Sequence, residues 1–147
     1  MIERVQFIIP GDPVAFARAG SFGARRWTPP KQRDYMLETR RIAHDAMKGK
    51  LLFEGAISIH IEAYYRIPAS WSKKKQVIAF KSEWKISRPD VDNGAKIVLD
   101  SIGNNPSLDQ TDGLGAIVFA DDASVCRLLV EKRWSFTPEV RVTISKI

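Results

Sequence analysis

Three aspartates have the chemistry and spacing to form a reactive site. Asp90 and Asp92 lie in Arg88-Pro89-Asp90-Val91-Asp92-Asn93, and Asp122 in Phe119-Ala120-Asp121-Asp122-Ala123. Gathered carboxylates repel one another unless a cation neutralises them, and an all-oxygen donor set selects a hard ion such as Mg²⁺. One or two such ions would activate water and stabilise the departing oxygen of a phosphodiester. Lys96, one helical turn after Asp92, offers a point charge to the phosphate. Residues 90–122 carry a net charge of −6 and residues 66–89 a net +6. A cationic shell around an acidic centre is what a polyanionic substrate requires. The expectation is metal-dependent nucleic-acid chemistry.

A plainer reading stands beside this one. Asp92 or Asn93 would serve as a helix N-cap and Asp121-Asp122 as a turn, because an isolated D-x-D recurs by chance. An EF-hand does not fit, since Gly94 comes one position early and no Glu closes the loop. Asp109 and Asp112, among Gln, Thr and Gly, read as a solvated loop rather than a second acidic pair. His44 and His60 read as surface or packing histidines, and Cys126 as a small core residue. Arg18, Arg25, Arg26 and Trp27 combine charge with a stacking surface, which suits DNA as well as it suits a solvated loop. Lys73, Lys74, Lys75 and Arg88 are the expected phosphate contacts beside the acids, and Trp71 and Trp84 packing or interface residues.

Composition bounds these readings. A chain of 147 residues holds one core, so residues 1–147 are expected to form a single domain. A net charge of +6 and a pI near 9.6 favour an anionic partner. One cysteine rules out an intrachain disulfide and fits a reducing cytoplasm. No apolar run approaches the roughly 20 residues that span a bilayer, and no signal-peptide pattern opens the chain, so no membrane role is expected.

The elements that must position the acids follow from periodicity. Alternation predicts strands over 4–9 and 56–66, the second with Ile57, Ile59, Ile61, Ala63 and Tyr65 on one face. Between them, 14–27 reads as a loop. A helix starts at Thr28-Pro29 and runs to about Lys48, before Gly49. A short basic helix spans about 73–81. Asp90 follows Pro89 and is expected in extended chain, where residues two apart point the same way about 6.5 Å apart. Asn93 then caps a helix from Gly94 to about Ile102. A polar loop to about Gly115, a short strand over 116–120, and strands over 125–134 and 140–144 joined by a turn at Pro138 complete the chain. The expected fold class is α+β, a two-layer domain with a mixed β-sheet and helices packed on one face.

The ordered set Pro68-Ala69-Ser70-Trp71-Ser72-Lys73-Lys74-Lys75, Arg88-Pro89-Asp90-Val91-Asp92-Asn93, Lys96 with Asp100, and Asp121-Asp122 resembles the RusA family of Holliday junction resolvases of bacteria and their phages. Gly11-Asp12-Pro13 to Arg18, followed by Thr28-Pro29-Pro30-Lys31, is similar to phage-type members, so the resemblance covers most of the chain. It implies a cytoplasmic, homodimeric endodeoxyribonuclease that uses Mg²⁺, with Mn²⁺ able to substitute, to place paired nicks in four-way DNA junctions. It also implies metal-binding roles for Asp90, Asp92 and Asp122 and a catalytic role for Lys96. The segment from Gly103 to Gly115 is longer than the family's usual link, which leaves Asp121 as the alternative third ligand. The competing functions are a non-catalytic basic DNA-binding module and a D-x-D nucleotide-sugar transferase. The absence of a nucleotide-binding βαβ pattern counts against the transferase.

Overall fold

The polar-apolar alternation of residues 57–66 becomes the central strand of a four-stranded sheet. The computed structural model describes residues 4–16, 20–22, 25–27 and 29–147, with only the backbone for 20–22 and 25–27. In chain order the elements are β1 (Arg4–Pro10), β2 (Gly20–Phe22), β3 (Arg25–Trp27), α1 (Pro30–Met47), β4 (Ile57–Arg66), α2 (Lys73–Ser82), α3 (Val91–Ile102), α4 (Pro106–Asp112), β5 (Val125–Ser135) and β6 (Glu139–Lys146). A single 3₁₀ turn, Asp122–Ser124, leads into β5. The sheet order is β1-β6-β4-β5, and β2 pairs with β3 in a separate two-stranded ladder. β6 runs antiparallel to both neighbours, whereas β4 and β5 are parallel.

Register puts Ile59 beside Ile144 and Ile61 beside Val142, with Val5 and Phe7 continuing the same face across β6. These side chains are buried with Ala43 and Met47 of α1 and Ala95, Val98 and Ile102 of α3 in one hydrophobic core. Burying each large aliphatic contributes about 2 kcal/mol. The opposite face of β4 carries Ser58, His60, Glu62 and Tyr64, all half-buried. The result is the expected α+β architecture with a mixed sheet. Among the described residues no helix is long and apolar enough to cross a membrane.

Several local expectations are corrected. The 14–27 loop contains the β2–β3 ladder, and Thr28 lies outside the described residues; Pro29 stands at the N-cap of α1. Residues 103–115 are not simply a loop, because Asn105 caps α4 by accepting from Leu108 N at 3.2 Å, with Pro106 in its first turn. Residues 116–120 form no strand. Ile117 and Val118 instead both donate backbone N–H groups to the Ile102 carbonyl, and Phe53 N donates to Val118 O. Ile117, Val118 and Phe119 are buried there. Phe119 presses on Gly103, where an added Cβ would stand 2.8 Å from its ring, so this crossing needs a glycine.

Asp112 is no solvated loop residue either. It accepts from Arg40 Nε at 2.7 Å and NH2 at 3.0 Å, and Arg40 is fully buried. The guanidinium also donates to the carbonyls of Ser101 and Gly115. Its hydrogen bonds hold the Asp112 carboxyl below the usual carboxylate range. Asp109 accepts from Gly115 N at 2.6 Å. Part of this link is thus a helix pinned to α1. Cys126 is exposed rather than buried, since it lies on β5, the edge strand beyond β4.

Candidate active site

The helix bearing Lys96 begins three residues earlier than its sequence suggests. α3 starts at Val91, which makes Asp90 its N-cap residue, with φ −69° and ψ 149°, and places Asp92 in its first turn. Asp90 is extended, as expected, but Asp92 is helical. The two carboxylates therefore do not share a strand face, and the spacing argument for their convergence does not hold. Asp90 makes no side-chain capping bond, so its exposed carboxylate is not consumed by the helix end.

Helical geometry arranges a different set. Asp92, Lys96 and Asp100 recur every four residues and lie along one face of α3. That face lines an open groove of about 650 Å³, and Asp122 joins it from the turn before β5, with Leu128 and Leu129 as an apolar wall. Three carboxylates thus face one ammonium around the groove. Asp121, the alternative ligand, is committed locally: its Oδ1 accepts from Ala123 N at 2.9 Å and caps the 3₁₀ turn. It lines a neighbouring cavity with Asp100, Asn104 and Phe119.

Lys96 Nζ lies 3.6 Å from Asp100 Oδ2 and 4.7 Å from the centre of the Phe16 ring. Phe16 N donates to the Asn93 carbonyl at 3.0 Å, which straps the segment after β1 onto the start of α3. The loop that carries Asp90 is held from the other side. Lys132 Nζ donates to the carbonyls of Ser87 and Pro89, both at 2.7 Å. Lys85 Nζ donates to Ser87 Oγ and Arg88 O, both at 2.6 Å, and lies over the Trp134 and Tyr65 rings. Burial, and then the charge of Lys132, lower the Lys85 pKa. Two ammonium groups therefore fix three consecutive residues directly before Asp90. Neither lysine stands out in sequence, because β5 and the 85–89 loop are far apart along the chain. In the sequence Asp100 stood out only beside Lys96 in the ordered motif set, with no role attached to it.

The donor set is oxygen alone, its charge is not balanced by the groove's one lysine, and Asp90 is uncommitted. These residues fit a hard divalent cation. Among the described residues, Asp90, Asp92 and Asp122 are not drawn into a tight donor cluster; the group with three donor atoms within 4.8 Å is His60, Glu62 and Glu131, away from the groove. Of the expected DNA contacts, Arg18 and the side chains of Arg25 and Arg26 lie outside the described residues. Lys73, Lys74 and Lys75 form the exposed first turn of α2, capped by Ser72, with Lys75 4.0 Å over the Trp71 ring. Arg88 is exposed in the clamped loop. Trp71 packs edge-on against Trp134, and Trp84 lies under Arg133.

The chain is 28% identical over 152 residues to the uncharacterized protein YqaN of Bacillus subtilis (strain 168), a match covering 99% of each chain. The family model described as endodeoxyribonuclease RusA matches residues 10–145, which takes in every site residue above. The chain belongs to the RusA family of endodeoxyribonucleases.

Proposed function

We propose that this DNA-acting nuclease is a Mg²⁺-dependent, structure-selective endonuclease that resolves four-way junctions by paired nicks. The observation that carries the reading is the groove in which Asp92 and Lys96 of α3 meet Asp122 at the head of β5. Asp90, Asp92 and Asp122 would hold the ion, and Mn²⁺ would substitute for it. When bound, Mg²⁺ supplies an activated water and neutralises charge on the phosphodiester.

The chain's own residues do the rest. Lys96, exposed in the groove, offers its ammonium to the phosphate oxygens as negative charge builds on them. Lys85 and Lys132 keep the Asp90 loop from relaxing under carboxylate repulsion. Lys73, Lys74, Lys75 and Arg88 supply phosphate contacts that position the duplex arms without reading sequence. The reaction takes place wherever the cell's DNA is, which makes the cytoplasm its compartment.

A junction with pseudo-two-fold symmetry calls for two related sites, and a C₂ dimer of this chain provides them. An exposed apolar surface around α2 supports a second copy as its occupant. Phe80 stacks on Phe136 at 5.3 Å, each half exposed, and Val77 and Trp84 extend the patch.

The test is cleavage of end-labelled four-way junction, linear duplex and single strand, with Mg²⁺ or with EDTA. Paired, Mg²⁺-dependent nicks in the junction are expected. Binding without scission would favour a DNA-binding module, and neither binding nor scission would leave the nucleotide-sugar transferase.

A further inference from the structure

The face of the sheet opposite the helices carries a second donor set of different chemistry. His60 and Glu62 are two residues apart on β4 and point the same way, and Glu131 of β5 is the direct cross-strand partner of Glu62. One donor atom from each of the three lies within 4.8 Å of the other two. His60 Nε2 is 2.5 Å from Glu131 Oε1 and 4.0 Å from Glu62 Oε1. All three side chains are half-buried, so they are preorganised yet reachable from solvent.

We infer that His60, Glu62 and Glu131 form a binding site for a borderline divalent transition metal, Zn²⁺ in the first instance, distinct from the groove of aspartates. Two arguments beyond proximity support it. Like charges directly opposite on adjacent strands destabilise a sheet, and Glu62 faces Glu131 in this way, with Arg141 of β6 beside Glu62 and Arg133 on Glu131 offsetting part of the repulsion and a cation between them relieving the rest. Arg133 NH2 and Nε both bond Glu131 Oε2, which neutralises one carboxylate in part and leaves Oε1 turned to His60. Arg133 is in turn held by Glu83 at 2.8 Å. An outer residue that orients one oxygen of a ligating carboxylate is the usual companion of a metal site.

The donor types choose the ion. An imidazole nitrogen with two carboxylate oxygens suits Zn²⁺, whereas Mg²⁺ prefers oxygen alone. Zn²⁺ bonds of about 2.0–2.2 Å set tetrahedral donors about 3.4 Å apart. The His60–Glu131 contact therefore opens slightly and the Glu62 side chain swings in. A ligating nitrogen must be free of its proton, so His60 would bind the ion through Nε2 as the tautomer that carries its hydrogen on Nδ1. Three protein ligands leave the fourth position to water. The bound ion ties the edge strand β5 to β4, and β5 carries Lys132 and follows Asp122.

The chain has two histidines, which makes the test clean. His44 is exposed on α1, and His44→Ala assigns the two imidazole C2–H proton resonances. One equivalent of Zn²⁺ is expected to shift the His60 resonance and leave that of His44 in place, while Mg²⁺ moves neither. Calorimetric titration with Zn²⁺ is expected to show at least about 10-fold weaker binding for His60→Ala and Glu131→Gln and no change for His44→Ala. A His60 resonance that does not respond before His44 overturns the site, even if the variants fold poorly. So does Zn²⁺ binding at the His60 resonance that Glu131→Gln leaves at full strength, since the three residues are then only an ion-pair network.

Discussion

At Lys96 the ammonium is already steered by Asp100 on one side and the Phe16 ring on the other. It needs little reorganisation to meet a phosphate, which is the condition under which a fixed charge lowers a barrier. Lys96→Ala is expected to slow junction cleavage by about 10²-fold with binding largely kept; near-normal cleavage would return Lys96 to a surface role. Among the acids, Asp90→Asn, Asp92→Asn and Asp122→Asn keep side-chain volume and remove charge. Scission is expected to stop in each, while junction affinity holds or rises because repulsion of phosphate falls. Asp121→Asn is the contrasting case. Asn caps as well as Asp does, so the 3₁₀ turn survives and measurable activity is expected to remain. Cleavage by all three primary variants at near wild-type rate would remove these residues from the active site.

Elements hold the site through contacts that no local pattern encodes. The Ser87–Pro89 carbonyls converge on Lys132 from β5, and Lys132→Met would release the loop before Asp90. The half-saturating Mg²⁺ for cleavage is expected to rise about 10-fold or more, in keeping with losses at outer-shell positions, and Lys132→Arg to restore part of it. An unchanged Mg²⁺ dependence would separate the clamp from the metal. α4 is held by Arg40 and Asp112, with Arg40 fully buried and Asp112 half-buried. Asp112→Ala leaves a buried guanidinium without its counter-charge, and urea unfolding is expected to show a loss of about 3–5 kcal/mol. The folded-state pKa of Asp112 is depressed, so its contribution is present above the unfolded value of about 3.9 and is lost as pH falls through the folded value. The stability gap between wild type and variant should therefore narrow below about pH 4. A gap that stays constant into acid would assign the loss to packing.

At the scale of the whole molecule, the proposed encounter with DNA rests on charge and on a symmetric pair of sites. If Lys73, Lys74 and Lys75 touch phosphates, replacing all three with Ala should flatten the slope of log K against log salt by about 0.9 for each contact removed. An unchanged slope would leave them to solvent. Light scattering is expected to give a dimer mass, and Phe80→Asp to shift it toward monomer, because a charge would be placed in the half-exposed apolar patch with Phe136. A monomer mass for the wild type, free and DNA-bound, would exclude the symmetric pair.

Sequence by itself determined the elements with strong short-range periodicity and the motif order that reveals the family. β1 and β4 alternate in step with the pleat, α2 has its Ser72 cap, and Asp90, Asp92, Lys96 and Asp122 lie inside the matched range. These features depend on residues a few positions apart, so a linear reading captures them. The start of α3 was not decided locally, since Asp90, Asp92 and Asn93 are all competent caps. The structure selects Asp90, in a loop anchored by Lys85 and Lys132, and so turns an expected extended pair into a helical row. Residues 116–120 look strand-like by composition, but their N–H groups are satisfied by the end of α3 instead of a neighbouring strand. Cys126 is small and apolar, yet edge position exposes it, and His60 acquires a partner only because β5 lies parallel to β4. In each case the outcome depends on which distant segment supplies the partner, and only tertiary packing decides that.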